Sequence, residues 1–140
     1  MDTGKVVLVT GTSGGIGKAC ALRLARNRFQ VFATVRHESD GAALRNEAPS
    51  GLTPVIMDVT DGASIRRAFD RISAEAPNGL HGLVNNAGMG SMWPLEFFPL
   101  EEFRKTLETN LTGVLAVTQT FLPLLRCGHG RITREPLRAE

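Results

Sequence analysis

Four consecutive apolar residues, Val6-Val7-Leu8-Val9, run straight into Thr10-Gly11-Thr12-Ser13-Gly14-Gly15-Ile16-Gly17. A strand with no polar side cannot face water, so it belongs in a parallel sheet covered on both faces. The glycines of the following turn have separate uses. Gly11 permits a tight turn, Gly15 lets backbone amides approach a pyrophosphate, and Gly17 lets the next helix lie close to the sheet. That helix is expected from Gly15 to about Asn27, with Ile16, Cys20 and Leu24 on one side at spacings of four. Its unpaired first amides and positive dipole end would face an anion. Thr12, Ser13, Gly14 and Ile16 complete the candidate cradle.

The rest of the chain repeats the alternation. Strands are expected at Val31 to Val35, Pro54 to Val59 and Leu80 to Val84. Helices are expected around Gly41 to Glu47, from Thr60 as N-cap to about Ala76, and from Leu100 to Arg126. In the helix after Thr60, Ile65, Phe69 and Ile72 share a face. In the last helix the apolar spacing runs from Phe103 through Leu107, Leu111, Val114, Leu115, Phe121 and Leu122 to Leu125, with Gly113 and Pro123 as bending points. Such alternation specifies an α/β fold, a Rossmann-type parallel sheet with helices on both faces and right-handed crossovers. It is incomplete, with about four strands and the start of a fifth at Arg131-Ile132-Thr133. Residues 134–140 add a proline and several charges where a central strand would stay apolar. The chain therefore reads as a partial dinucleotide-binding domain over 1–133 and a divergent charged tail over 134–140.

Composition narrows the classes further. Hydrophobic residues make up 42% and charged residues 21% of the 140, enough for one compact core. The net charge of +2 is scattered, with no basic block, which argues against a nucleic-acid groove. Cys20 and Cys127 have neither metal nor disulfide spacing, so a reducing compartment and a cytoplasmic location are expected, with no metal site. The opening Met1 to Lys5 has neither the basic flank nor the apolar stretch of a signal peptide, and none is expected. The apolar stretch Leu111 to Leu125 is shorter than the roughly 20 residues of a membrane span and carries Thr112, Thr118, Gln119 and Thr120.

Nicotinamide dinucleotides differ at the adenosine ribose, so the end of the second strand reports on the choice. An acidic residue there would bind the ribose diol of NAD. This chain has Val35 and then Arg36, whose guanidinium matches a phosphate, and the sequence favours NADP over NAD. Glu38 and Asp40 keep NAD open. Asp58, closing the third strand, is expected to accept from the adenine amino group while Val59 packs near the ring; capping of the next helix is its other available role.

Thr10-Gly11-x-x-x-Gly15-Ile16-Gly17, Asp58-Val59, Asn85-Asn86-Ala87-Gly88, Asn110-Leu111-Thr112-Gly113 and Gly130-Arg131-Ile132 stand in the order and spacing of one family. Over residues 5 to about 133 the chain resembles the short-chain dehydrogenase/reductases of classical type. Phe32 to Arg36 and Pro94-Leu95-Glu96 resemble the branch with hydroxysteroid and retinol dehydrogenases. The resemblance implies hydride transfer between a nicotinamide cofactor and a hydroxyl or carbonyl substrate. It implies that Asn86, Ala87 and Gly88 stabilise the sheet beside the cofactor. It also implies that Asn110 is the asparagine of the catalytic tetrad, holding a relay water through a local distortion of the long helix.

The family's catalytic Ser, Tyr and Lys find no counterpart. The chain has no tyrosine, its lysines are Lys5, Lys18 and Lys105, and no serine follows Ser91. Two functions are therefore carried forward: an NAD(P)-dependent oxidoreductase acting on a hydrophobic alcohol or ketone, and a catalytically inactive, truncated nucleotide-binding fragment. The second is favoured for these 140 residues. Missing later strands would leave apolar edges and helix faces uncovered, so self-association is expected. His37, His81 and His129 receive no catalytic role. Met89, Met92, Trp93, Leu95 and Phe97 are read as substrate-facing or as core.

Overall fold

A computed structural model of the chain describes residues 4–134. Five parallel strands form one sheet in the order β3-β2-β1-β4-β5: β1 (Val6–Val9), β2 (Gln30–Val35), β3 (Leu52–Ile56), β4 (Gly82–Asn85) and β5 (Arg131–Arg134). The helices between them are α1 (Gly15–Arg26), α2 (Glu38–Glu47), α3 (Gly62–Glu75), α4 (Leu100–Leu107) and α5 (Gly113–Cys127). This is the expected Rossmann-type architecture, with the order reversing between β1 and β4.

β1 shows why its sequence reads as an unbroken apolar run. Val6 and Leu8 point into a core layer with Ile65, Ile72, Val117 and Phe121 from α3 and α5. Val7 and Val9 point into the opposite layer with Ala21, Leu22, Ala25 and Leu44 from α1 and α2. Successive side chains alternate faces, and here both faces are dry. Phe69 meets Phe121 edge to face at 5.6 Å between ring centroids, joining α3 to α5.

Several elements depart from the sequence reading. α1 buries Gly17, Ala21, Leu22 and Ala25, whereas Ile16 is exposed and Cys20 only half-buried. A side chain is excluded at Gly17, where the helix start lies against Asn86 and the Gly11 carbonyl. α2 begins at Glu38, three residues before the expected start. Ser39, Asp40 and Gly41 are weak helix formers, but acidic Glu38 and Asp40 suit a first turn. β3 ends at Ile56, short of Val59, because Asp58 draws the chain into a turn. Its Oδ1 accepts from the Thr60 amide at 2.9 Å and from the Thr60 hydroxyl at 2.7 Å. Thr60 is therefore not the N-cap of α3. Asp61 is, accepting from the Ala63 amide at 2.9 Å.

The expected helix from Leu100 to Arg126 is divided by a π-helical turn over Glu108–Thr112, and α5 continues through Pro123. Gly113 follows the wide turn because a Cβ there would press on Val59. β4 starts at Gly82, after His81, whose Nδ1 accepts from the Val6 amide at 3.0 Å. Arg134, read as the first tail residue, is the last residue of β5, opposite Asn85. Residues 135–140 lie outside the described residues. All four residues of β5 are exposed, as are Leu107, Leu111 and Leu115 along the last helices. Met92, Trp93, Leu95 and Phe97 are exposed as well, Met92 and Leu95 at 87% each, so they do not close the core. No helix among the described residues is long and apolar enough to cross a membrane.

Candidate functional site

A cleft of about 1100 Å³ opens over the ends of β1, β2, β3 and β4. It exceeds the roughly 300–1,000 Å³ usual for small-molecule sites, which suits an extended ligand. Its floor is the glycine turn. Gly11 and Gly15 have φ of +69° and +58°, conformations that favour glycine. A Cβ on Gly11 would sit 2.7 Å from the Ala87 Cα, and one on Gly17 would overlap the Asn86 side chain and the Gly11 carbonyl. A Cβ on Gly14 or Gly15 would meet nothing. Gly11 and Gly17 thus serve close packing, and Gly14 and Gly15 leave backbone open to the cleft.

The first turn of α1 is unfinished. Gly14 occupies the N-cap position without a capping side chain, and no acidic residue lies in the first turn. The amides at a helix start have no partner within the helix, and the helix dipole adds positive potential there. Among the described residues, the first turn of α1 has no acidic side chain to meet that potential.

The turn is held by a network that sequence spacing did not reveal. Thr34 Oγ1 accepts from the Gly11 amide at 3.3 Å, and buried Thr12 bonds the Thr34 carbonyl through both its amide and its hydroxyl. Thr10 Oγ1 accepts from the amides of Asn86 and Ala87 at 3.1 and 2.9 Å. Asn86 Nδ2 returns to the carbonyls of Thr10 and Gly11 at 3.0 and 2.9 Å. The turn after β1 and the loop after β4 are therefore one rigid unit. Thr10 was legible as the first residue of the turn and Thr34 as a strand residue, but not the bonds that they make; threonine beside a glycine turn is the signal that could have marked them.

Of the residues singled out from sequence, Gly11, Ser13, Gly14, Gly15, Ile16, Arg36, Asp58, Val59, Asn86, Ala87 and Gly88 line the cleft. Thr12, Gly17 and Asn110 do not. Thr12 and Gly17 are buried behind the turn, and Asn110 lies behind Met89. Met89, read as substrate-facing or core, lines the cleft, as do Thr34, Lys105, Glu108 and Thr109, which sequence reasoning missed because α4 and the π-helical turn meet the strand ends only in three dimensions. Glu38 and Asp40 are not in its wall; they occupy the first turn of α2.

Asp58 lies on the cleft wall with its carboxyl perturbed. The Thr60 hydroxyl bond holds its carboxyl below the ordinary value, against the opposing effect of burial, with further help from the Thr60 amide and the nearby Arg36 cation. It stays ionised and able to accept at neutral pH. At the other end of the cleft the Asn110 side chain clamps Met89, accepting from its amide at 2.8 Å and donating to its carbonyl at 2.7 Å. Asn110 sits inside the π-helical turn, so the distortion implied by the resemblance is present. Among the described residues no group of three or more His, Cys, Asp or Glu could hold a metal ion.

A glycine turn, an uncapped helix start and the reversal of strand order at one cleft define a Rossmann-type nucleotide-binding domain. The chain belongs to the short chain dehydrogenase family, whose pattern residues 5–134 match. Retinol dehydrogenase 7 of Rattus norvegicus is 38% identical over 130 residues, which span 91% of this chain and 41% of that protein. An alcohol dehydrogenase from Thermococcus sibiricus, solved in complex with 5-hydroxy-NADP, superimposes with a TM-score of 0.82 at 29% identity, covering 93% of this chain and 57% of that one. A 3-ketoacyl-(acyl-carrier-protein) reductase from Brucella melitensis, solved with NADH, gives 0.81 at 27% identity, covering 88% and 51%. The chain thus spans about half or less of the proteins it resembles.

Proposed function

We propose that the cleft binds NADP, with the pyrophosphate at the first turn of α1, the 2′-phosphate on Arg36 and the adenine amino group on Asp58. The observation that carries this reading is the uncapped start of α1 opening onto a cleft that Arg36 also lines. Gly14 and Gly15 leave the backbone bare where a bridging phosphate would approach. Val59 would flank the adenine, and Asn86, Ala87, Gly88 and Met89 would wall the nicotinamide half. Arg36 faces the cleft and the acids of α2 do not, which supports NADP over NAD. The spacing of Cys20 and Cys127, which fits no disulfide pattern, supports a reducing, cytoplasmic setting.

The nicotinamide, when bound, supplies or accepts the hydride. The substrate oxygen then needs a proton donor within about 3 Å. These 140 residues offer no tyrosine for that task, and Lys18 and Lys105 are paired with Glu47 and Glu102. We therefore read this stretch as a nucleotide-binding unit that is catalytically inactive on its own. A polypeptide carrying the remaining span of the relatives would act on a hydrophobic alcohol or ketone, for which exposed Met92, Trp93, Leu95 and Phe97 offer an apolar surface. Asn110, in the position of the family's catalytic asparagine, contributes by fixing Met89. The apolar stripe of Leu107, Leu111 and Leu115 supports self-association, read as a concentration-dependent sedimentation coefficient.

Calorimetric titration of the full 140-residue chain tests the binding. NADP is expected to bind about tenfold more tightly than NAD, the worth of a charge-assisted phosphate contact. Equal or inverted affinities would remove Arg36 from the reading. NADPH-dependent reduction of a ketone by this chain would remove the inactive assignment.

A further inference from the structure

Asn110 is held from a direction the cofactor cleft does not require. Its side chain is spent on both polar groups of the Met89 backbone. Its own carbonyl, in the π-helical turn Glu108–Thr112, accepts from Arg134 Nη2 at 3.2 Å. A π-helical turn widens the backbone and makes its carbonyls available to partners outside the helix. Arg134 reaches that carbonyl because β5 runs parallel to β4 and ends with Arg134 opposite Asn85, one residue before the loop that carries Met89.

The contacts close a circuit. β4 leads through Asn86 to Met89, Met89 is clamped by Asn110, Asn110 is bonded to Arg134, and Arg134 returns to β4 through the β4–β5 pairing. Thr10 holds the loop at Asn86 and Ala87, whereas the Met89 end is held by Asn110 and, without a further tie, could shift together with the π-helical turn. The bond from β5 ties that turn to the sheet.

We propose that Arg134 is a positioning residue: its guanidinium fixes the π-helical turn and, through Asn110, the Met89 wall at the nicotinamide end of the cleft. The inference rests on the cleft being the dinucleotide site. It assigns Arg134 no contact with cofactor or substrate, and its effect is confined to one end of the cleft, because Asp58 is held by Thr60 and the glycine turn by Thr34 and Asn86.

Two variants and two ligands test it on the full chain. Arg134→Leu keeps an apolar stem and removes the donor; Arg134→Lys restores a donor. NADP spans the whole cleft, and adenosine 2′,5′-bisphosphate occupies only the adenosine end. Arg134→Leu is expected to weaken NADP about fivefold, the worth of one hydrogen bond, and to leave the adenosine bisphosphate within about twofold. Arg134→Lys should recover most of the NADP affinity, and amide exchange at Met89 should accelerate in the leucine variant alone. Arg134 is exposed, so both variants are expected to fold. Unchanged NADP affinity in Arg134→Leu, or equal weakening of both ligands, would overturn the proposal. Failure of the wild-type chain to bind either ligand would instead overturn the cofactor reading on which it rests.

Discussion

Helices α1 and α3 both begin just past the end of a parallel strand, yet their first turns are completed differently. In α3, Asp61 accepts from the Ala63 amide, and Asp58 and Thr60 close the turn that leads in. In α1, Gly14 caps nothing and the first turn has no acid. With glycine at the N-cap, the missing capping side chain costs about a few tenths of a kcal/mol of stability. The packing of Gly17 against Asn86 and Gly11 offsets that cost, and a bound anion would recover it. The self-satisfied helix start is structural, and the unsatisfied one is where a ligand has something to gain.

The contrast can be broken most severely at Gly17. Gly17→Val drives a branched side chain into Asn86 and the Gly11 carbonyl, and a loss of about 3 kcal/mol or more in thermal unfolding is expected from such overpacking. Gly15→Asp acts on the other function of the turn. Its side chain enters open space, so the cost to stability is limited to backbone strain, while a carboxylate in the cradle should weaken NADP by about 2 kcal/mol, roughly 30-fold, in a calorimetric titration. Asp61→Ala removes the cap of α3 and is expected to lower unfolding stability by about 1 kcal/mol with NADP affinity unchanged. A change in that affinity would mean the two helix starts are not independent.

The smallest effect lies in acid. The Asp58 carboxyl is held below its ordinary value of 3.8, so its folded value is lower than its unfolded one. Its stabilising contribution is therefore complete above the unfolded value and disappears as pH falls through the folded value. Asp58→Asn should flatten that acid limb in unfolding measured between about pH 2 and pH 5. An unchanged limb would separate the Asp58–Thr60 turn from stability.

The sheet was legible because Val6 to Val9 and Leu83-Val84 leave no polar face, and the cradle because glycine spacing reports backbone directly. Element ends were less so. Asp58 leaves the strand for a turn by a local side-chain bond that apolar patterning does not register, and Asp61 displaces Thr60 as cap by geometry alone. In α1, Ile16, Cys20 and Leu24 have helical spacing but lie one residue off the buried face, which carries Gly17, Ala21 and Ala25 with Leu22. Lys105, Glu108 and Thr109 entered the cleft wall unannounced, because where α4 and the π-helical turn lie beside the strand ends is set by tertiary packing. Asn110 was marked by its place in a motif, whereas the bond from Arg134 could be found only once β5 was seen beside β4.

Amide NMR on the 15N-labelled chain tests the open helix start most directly, because each backbone donor reports separately. On addition of NADP, the amides of Gly15, Ile16 and Gly17 are expected to show the largest shifts, with those of Gly62 and Ala63 at the capped start of α3 unmoved. Saturable binding that leaves the three α1 amides in place would contradict the assignment of that turn as the phosphate cradle.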